Sequence, residues 1–178
     1  MYKHIKDSQI TITELMLPSH SNFSGKIHGG YILGLMDQIA FACASKHSRH
    51  YCVTASVNRV DFLNPIDVGD LVTLKASVNY TGRTSMVVGV RVESENIQTG
   101  EIKHCNSSYF TMVAKDESGK NVTVPGIILN TEQSIRRFSR SIARQKQAKK
   151  RTNKFKASKF KINDHIEILK SHNAKIEL

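Results

Sequence analysis

The fold is decided by residues 30–46, Gly30-Tyr31-Ile32-Leu33-Gly34-Leu35-Met36-Asp37-Gln38-Ile39-Ala40-Phe41-Ala42-Cys43-Ala44-Ser45-Lys46, which leave almost no polar face. A stretch of about 17 residues is too long for an ordinary strand, and leucine, methionine and alanine favour a helix. A helix that is apolar all round is a buried helix. At 1.5 Å per residue this helix is roughly 25 Å long. The sequence therefore predicts a long helix at the centre of the molecule.

The segments around this helix favour β-strands, because they are rich in Val, Thr and Phe and alternate apolar with polar residues. Turns containing Gly, Asn or Asp separate them. The predicted strands are residues 9–17, 51–63, 71–80, 86–92 and 102–114. An antiparallel sheet of this kind buries the helix by curling around it. The predicted fold class is α+β, and a second copy of the chain is expected to help close the core.

Basic charge is concentrated at the end of the chain. The 178 residues carry a formal charge of +11. Residues 1–130 hold 12 Lys/Arg and 11 Asp/Glu, whereas residues 131–178 hold 14 and 4, a net of +10. Residues 131–151 predict an amphipathic basic helix with Ile135, Phe138 and Ile142 in a narrow apolar stripe. Residues 152–161 are predicted to be mobile because their hydrophobicity is low, and residues 162–172 to form a short helix.

Several classes of protein are excluded by composition. No apolar run approaches the roughly 20 residues of a membrane span. Residues 1–7 lack the apolar segment of a secretory signal, and three cysteines cannot all pair within one chain. A cytoplasmic protein with free thiols is therefore expected. The sequence has no zinc-type spacing and no phosphate-binding glycine loop, so neither a metal nor a separate cofactor is predicted.

Asp37 is the first candidate for chemistry, because it lies in the middle of the apolar helix. Burying a carboxylate is costly unless the group is paired. One interpretation places Asp37 on an exposed edge of the helix or in a structural hydrogen bond. The other makes it a desolvated general base or nucleophile. Position alone does not separate the two.

The residues before the helix are a second candidate. His28-Gly29-Gly30 precedes it, and the first N–H groups of a helix lack internal partners and carry partial positive charge. Glycines would let a carbonyl oxygen approach this backbone, giving an oxyanion hole, although a glycine-rich helix entry is also common. Asp37 lies roughly 10 Å further along the axis, so a partner subunit is expected to supply one of the two groups. Asn22, in the preceding loop, would orient water or donate a hydrogen bond, or serve only the turn.

At this point the sequence resembles the hotdog-fold acyl-CoA thioesterases of the brain acyl-CoA hydrolase type and their bacterial relatives. The resemblance covers roughly residues 8–125. It is carried by residues 17–30 (Leu-Pro-Ser-His-Ser-Asn-Phe-Ser-Gly-Lys-Ile-His-Gly-Gly), Leu35-Met36-Asp37, Val53–Val57, Asp61–Asp70 and Tyr80–Met86. The implied organisation is a hotdog domain over residues 8–125, with a basic helical and partly disordered extension over residues 131–178.

The resemblance implies hydrolysis of acyl-CoA to CoA and a fatty acid. In tandem-domain relatives one unit supplies an Asn and the other an Asp, which correspond here to Asn22 and Asp37. A homodimer would form two shared sites, and family members often assemble into trimers of dimers. The thioester oxygen would accept a hydrogen bond from the backbone N–H of Gly29 or Gly30. His28, the residue before them, would belong to the same site. Asp37 would activate water or attack the carbonyl.

The resemblance also implies a segment that holds CoA. Gly82, Arg83, Thr84 and Ser85 match the CoA-contacting turn, and a planar arginine fork suits phosphate. Asn58 is a weaker candidate for a contact with pantetheine. Asn64 stands where some relatives have Lys.

Two other functions remain open from the sequence. A hotdog protein that binds acyl-CoA without hydrolysing it would share the same motifs. The basic extension would suit nucleic acid or another acidic surface, although it has few aromatic residues and no binding motif, which makes nucleic acid the less favoured partner.

Overall fold

The computed structural model describes residues 1–154 and, beyond them, residues 161, 162, 166, 172, 173 and 175. Two short 3₁₀ turns lie at Ile5–Asp7 and Pro18–His20. The helices and strands in chain order are β1 (Tyr2–His4), β2 (Ile10–Leu15), α1 (Gly29–Ser48), β3 (Tyr51–Val57), β4 (Leu71–Thr81), β5 (Ser85–Glu95), β6 (Ile102–Lys115), β7 (Gly126–Ile128) and α2 (Glu132–Lys154).

Five strands form one antiparallel sheet in the order β2-β4-β5-β6-β3. β4, β5 and β6 are consecutive and joined by short turns, whereas β3 precedes them in the chain and pairs with the far side of β6. β2 and β3 are therefore the two edges of this sheet. β1 and β7 pair separately as a small parallel ladder.

Helix α1 contacts all five strands of the large sheet. Its side chains Ile32, Met36 and Ile39 are fully buried, together with inward residues of the sheet such as Leu74, Val78, Val88, Val92, Phe110 and Met112. Burial of each large apolar side chain contributes about 1.5–3 kcal/mol. The predicted α+β class, a central helix wrapped by a curled antiparallel sheet, is confirmed.

The expectation that α1 is buried on every side is wrong for the single chain. Gly30, Gly34, Gln38 and Phe41 are exposed, and their three- and four-residue spacing places them on one stripe. The half-buried Asp37 borders this stripe. One five-stranded sheet covers only one side of a helix, so the stripe has no cover within residues 1–154.

The strand predicted over residues 51–63 is too long. β3 ends at Val57, and residues 58–63 form a loop held by separate bonds, among them Leu63 N–H to the carbonyl of Cys105 at 2.8 Å. This loop runs beside β6 without a ladder. The short β1 and β7 were not predicted, because three residues are too few to show an alternating pattern.

The chain divides into two compact units, Met1–Ser141 and Ile142–Leu178, with the boundary inside α2. In the first unit the Phe138 ring lies against Tyr80, with ring centroids 4.9 Å apart. α2 includes the predicted basic helix and continues to Lys154. Residues 155–160 of the segment predicted to be mobile, and most of the helix predicted over residues 162–172, lie outside the described residues. None of the described helices is long and apolar enough to cross a membrane.

Buried His47 joins the end of α1 to Ser8 near the start of the chain and to Pro125, which directly precedes β7. Its Nδ1 lies 3.2 Å from the Ser8 hydroxyl and its Nε2 3.0 Å from the Pro125 carbonyl. Burial lowers the pKa of His47, while the bond to the Pro125 carbonyl and nearby Asp7 oppose this and nearby Lys3 adds to it. The imidazole is therefore neutral in the folded protein at pH 7.

Acid should weaken the fold through His47. The unfolded chain binds the proton with a pKa near 6.5, above the folded value. The stabilising contribution is therefore complete above pH 6.5 and is lost as the pH falls below 6.5 towards the folded pKa. We expect His47→Gln to cost about 1–3 kcal/mol at pH 7, because Ser8 and Pro125 lose their partner.

The measurement is the free energy of unfolding by denaturant from pH 5 to pH 8. In the wild type this free energy should fall below pH 6.5, and in His47→Gln it should fall less steeply. His50→Gln, which replaces an exposed histidine, is the control. An equal slope in His47→Gln and the wild type would contradict this account.

Candidate active site

Helix α1 begins at a polar loop whose side chains satisfy its first amides. His28 is the N-cap residue, and its Nδ1 accepts a hydrogen bond from Gly30 N–H at 2.9 Å. A Cβ on Gly30 would lie 2.9 Å from two atoms of this ring, so glycine is needed for the cap. Because the Gly30 N–H already donates to His28, it is a weaker candidate than the Gly29 N–H for binding the thioester oxygen.

The Gly29 N–H has no hydrogen-bond partner within the described residues. It is one of the unpaired donors at a helix start, where the backbone also carries partial positive charge. The Phe62 ring lies over it, since a Cβ on Gly29 would be 3.1 Å from Phe62 Cζ. Gly29 thus presents a free donor beside an apolar ring.

Asn22 lies in the same loop, and its side-chain oxygen accepts three hydrogen bonds. Its Oδ1 accepts bonds from Ser24 N–H at 2.9 Å, the Ser24 hydroxyl at 2.7 Å and Lys26 N–H at 3.2 Å. These bonds fix the amide, and none of the described residues accepts from its Nδ2. The predicted turn role is therefore present, and the amide N–H₂ group remains available to a ligand.

Two clefts meet at Asn22 and Gly29. The first, of about 370 Å³, is lined by Asn22, Ser24, Lys26, Ile27, Gly29, Ile32, Phe62, Leu63, Asn64, Pro65 and Ile66. The second, of about 460 Å³, is lined by Ser21, Asn22, Phe23, His28 and Gly29. The two predicted donors thus lie where two largely apolar clefts join.

Asp37 lies on α1 beside the exposed stripe, and its Oδ1 accepts a 2.6 Å hydrogen bond from the Thr54 hydroxyl. Thr54 belongs to the edge strand β3 and also contacts Met112 Sδ at 3.5 Å. Both features belong to the first interpretation of Asp37, which placed it at an exposed edge or in a structural hydrogen bond. Its role as a general base or nucleophile stays a prediction. Sequence reasoning missed Thr54. Its hydroxyl, on a predicted strand that must pack against the helix, could have indicated a partner for the Asp37 carboxylate.

Within one chain the helix start and Asp37 are separate. Eight residues from Gly29 to Asp37 correspond to about 12 Å along the axis. The structure therefore brings Asn22, His28, Gly29 and Gly30 together and leaves Asp37 apart.

The predicted CoA-binding turn joins β4 to β5. It is closed by Gly82 N–H to the Ser85 carbonyl at 2.7 Å, and the carbonyls of Arg83 and Thr84 accept from Val124 and Ala114. Arg83 is exposed and forms no ion pair with a described residue.

The sheet register places this turn on the Asp37 side of the molecule. Ser85 pairs with Val113, which pairs with Val53 next to Thr54. Two strand spacings separate Ser85 from Val53, about 10 Å. Asn58 lies beyond the end of β3, where its N–H donates to the Tyr109 carbonyl at 2.9 Å. The CoA-binding candidates are thus spread along the sheet.

No group of three or more His, Cys, Asp or Glu side chains is arranged to hold a metal ion in the part of the chain that the structure describes. The antiparallel sheet curled around one central helix defines the hotdog class of proteins.

Comparison with known proteins narrows the class. A family model described as the thioesterase superfamily matches residues 24–101. The chain is 43% identical over 138 residues to Protein VdlD of Helicobacter pylori, covering 78% of this chain and 79% of that protein. It is 36% identical over 146 residues to the uncharacterized acyl-CoA thioester hydrolase YkhA of Bacillus subtilis, covering 82% and 85%.

Solved structures agree with the sequence matches. An apo-hexameric acyl-CoA thioesterase superposes with a TM-score of 0.83 at 42% identity, covering 85% of this chain and 97% of that one. The acyl-CoA hydrolase of Staphylococcus aureus, solved with butyryl coenzyme A and coenzyme A, gives 0.80 at 29% identity, covering 96% and 100%. Structures also exist of that hydrolase with an Asn, an Asp or a Thr replaced by Ala. The chain therefore belongs to the thioesterase superfamily, in the hotdog-fold acyl-CoA thioesterase family.

Proposed function

We propose that the protein hydrolyses acyl-CoA, with water and the thioester giving free CoA and a carboxylic acid. The observation that carries the proposal is the Asp37 carboxylate, held by Thr54 beside the uncovered stripe of α1. The three residues replaced in the Staphylococcus aureus hydrolase are 15 and 17 positions apart. Asn22, Asp37 and Thr54 have the same order and spacing, which supports equivalent roles.

The thioester oxygen is bound by Gly29 N–H. Negative charge develops on this oxygen as the carbonyl is attacked, and a free amide at a helix start stabilises it without reorganisation. His28 positions this backbone by capping Gly30. Asn22 Nδ2, fixed by three bonds to its own Oδ1, donates to the attacking water or to the thioester.

Asp37 acts on the carbonyl carbon in one of two ways. As a general base it takes a proton from water, whose oxygen then adds to the carbonyl. As a nucleophile it forms a mixed anhydride that water cleaves. In both routes the C–S bond breaks with the electron pair leaving on sulfur. A thiolate is a good leaving group, so no strong general acid is required.

The acyl group lies in the apolar part of the first cleft, among Ile27, Ile32 and Phe62. This lining supports a fatty acyl chain. The exposed Arg83 turn, with Gly82, Thr84 and Ser85, supplies contacts for the CoA phosphates, and Asn58 lies between the two regions. The reaction takes place in the cytoplasm, where acyl-CoA and reduced thiols are found.

Two chains share each site, with Asn22 and Gly29 from one and Asp37 from the other. Gly34 supports this arrangement. Glycine inside a helix costs about 1 kcal/mol relative to alanine, yet nothing lies within 4 Å of a Cβ at this position. A second helix approaching closely along the stripe accounts for it. The edge strand β3 is also free to pair, and the hexamer among the related structures supports a trimer of dimers.

Replacing the carboxylate tests the enzyme against the alternative of a non-hydrolytic acyl-CoA-binding protein. We expect Asp37→Asn to lower kcat by at least ~10²-fold, because the base or nucleophile is lost. The assay is release of free thiol from a panel of acyl-CoA esters, with sedimentation to check the oligomer. Glu117→Gln, which removes an exposed carboxylate in the turn after β6, is the control. Unchanged turnover in a well-assembled Asp37→Asn protein would overturn the proposal.

Mixing variants tests whether the site is shared. Asn22→Ala and Asp37→Ala should each be inactive, but their random mixture should recover roughly a quarter of wild-type activity. Half of the dimers are then mixed, and each contains one site with both residues intact. The measurement is turnover after dissociation and reassembly. A mixture no more active than the two variants alone would place the site within one chain.

Removing the hydroxyl that holds Asp37 should slow the chemical step. A hydrogen bond to a charged group is worth about 1.5–3 kcal/mol, so Thr54→Val should lower kcat by about 10-fold or more. We expect KM to stay within about 3-fold, since Thr54 positions the carboxylate and does not bind substrate. Thr54→Ser should restore kcat. Equal losses in the Val and Ser variants would show a packing role instead.

A further inference from the structure

A third cleft lies at the far end of α1 from the Asn22 loop. Its volume is about 410 Å³, and it is lined by Met1, Tyr2, Lys3, His4, Asp7, Ser8, Lys46 and Arg49. The 3₁₀ turn after β1 and the last turn of α1 form its walls. The proposed hydrolysis uses none of these residues.

Positive charge dominates this cleft. Lys3, Lys46 and Arg49 face one carboxylate, Asp7, and none of the four forms an ion pair with any residue in the described part of the chain. Like charges gathered in one concave site repel each other, and low-dielectric walls strengthen the field. The electrostatic energy of these charges is therefore unfavourable in the empty cleft, and a bound anion would lower it.

The two lysines donate to neutral groups and keep free donors. Lys3 Nζ donates to the His47 carbonyl at 2.6 Å, and Lys46 Nζ to the Gln9 carbonyl at 3.3 Å. Each ammonium has three donors, so each retains donors after one bond. The carbonyl bonds fix the charges in place without neutralising them.

Arg49 adopts a backbone conformation that arginine rarely takes. Its φ is 63°, and it is the one residue other than glycine with positive φ among those described. Glycine is the usual residue at this left-handed position after a helix. Its guanidinium forms no hydrogen bond or ion pair with a described residue. The arginine costs backbone strain that glycine would avoid, and its guanidinium is left with donors for a ligand.

We propose that this cleft binds the diphosphate group of a phosphorylated ligand. Two ammonium groups and a planar guanidinium match the charge and the oxygen geometry of a diphosphate, and the volume admits a nucleotide. The same chemistry is present in a free nucleoside diphosphate and in the CoA portion of the substrate.

The direct test is calorimetric titration of the full-length protein with pyrophosphate and with ADP. Arg49→Gly relieves the left-handed strain, so its melting temperature should equal or exceed that of the wild type while its affinity falls at least ~10-fold. Lys46→Gln should weaken binding similarly. Lys6→Gln removes an exposed cation of the same segment outside the cleft, and its affinity should match that of the wild type.

The source of the diphosphate follows from acyl-CoA kinetics. If it is a free nucleotide, Arg49→Gly weakens ADP binding and leaves KM for acyl-CoA unchanged. If it is the substrate's own diphosphate, Arg49→Gly raises KM at constant kcat. The proposal is overturned if each ligand, pyrophosphate and ADP, binds the wild type and the three variants with the same affinity. It is also overturned if neither ligand binds the wild type at ~10 mM and Arg49→Gly leaves the KM for acyl-CoA unchanged. The titration needs no turnover, so its result is independent of the proposed hydrolysis.

Discussion

The fold depends on how the central helix is covered. Burial of Ile32, Met36 and Ile39 against the sheet is worth about 1.5–3 kcal/mol for each side chain, and this burial curls the sheet around α1. Five strands reach around one side only, so the opposite side keeps an uncovered stripe containing Gly30 and Gly34. The packing of α1 against one sheet therefore stabilises the domain and also leaves one side of this apolar helix uncovered.

The same helix separates the polar groups of the candidate site. Its first turn offers a free amide at Gly29, because helix starts have unpaired donors. Its middle carries Asp37, about 12 Å away. A carboxylate in that position cannot reach a group bound at the tip of its own helix. The proposed second chain along the stripe would bring the two groups together, so the geometry of one helix favours a shared site over a site within one chain.

Much of this arrangement is predictable from periodicity. The long apolar run predicts α1, and alternation predicts β2, β4, β5 and β6 to within a few residues. Alternation fails for residues 58–63, because a loop lying beside β6 carries the same apolar side chains as a strand. The bonds from His28 to Gly30 and from Thr54 to Asp37 join residues through side-chain geometry, which spacing does not encode. Sequence reasoning therefore names candidate residues but not the contacts that hold them.

Net charge is a poor guide to the proposed anion sites of this protein. Residues 1–130 are nearly neutral, with 12 basic and 11 acidic residues. Among the described residues, nine acidic and basic side chains form five ion pairs on the sheet and its loops, as Lys75 and Arg91 do with Glu93. Such pairing leaves the unpaired cations to set the local field, and three of them line one cleft. A phosphate within a Debye length of about 8 Å senses those three cations and the Asp7 carboxylate beside them, and not the sum over the domain.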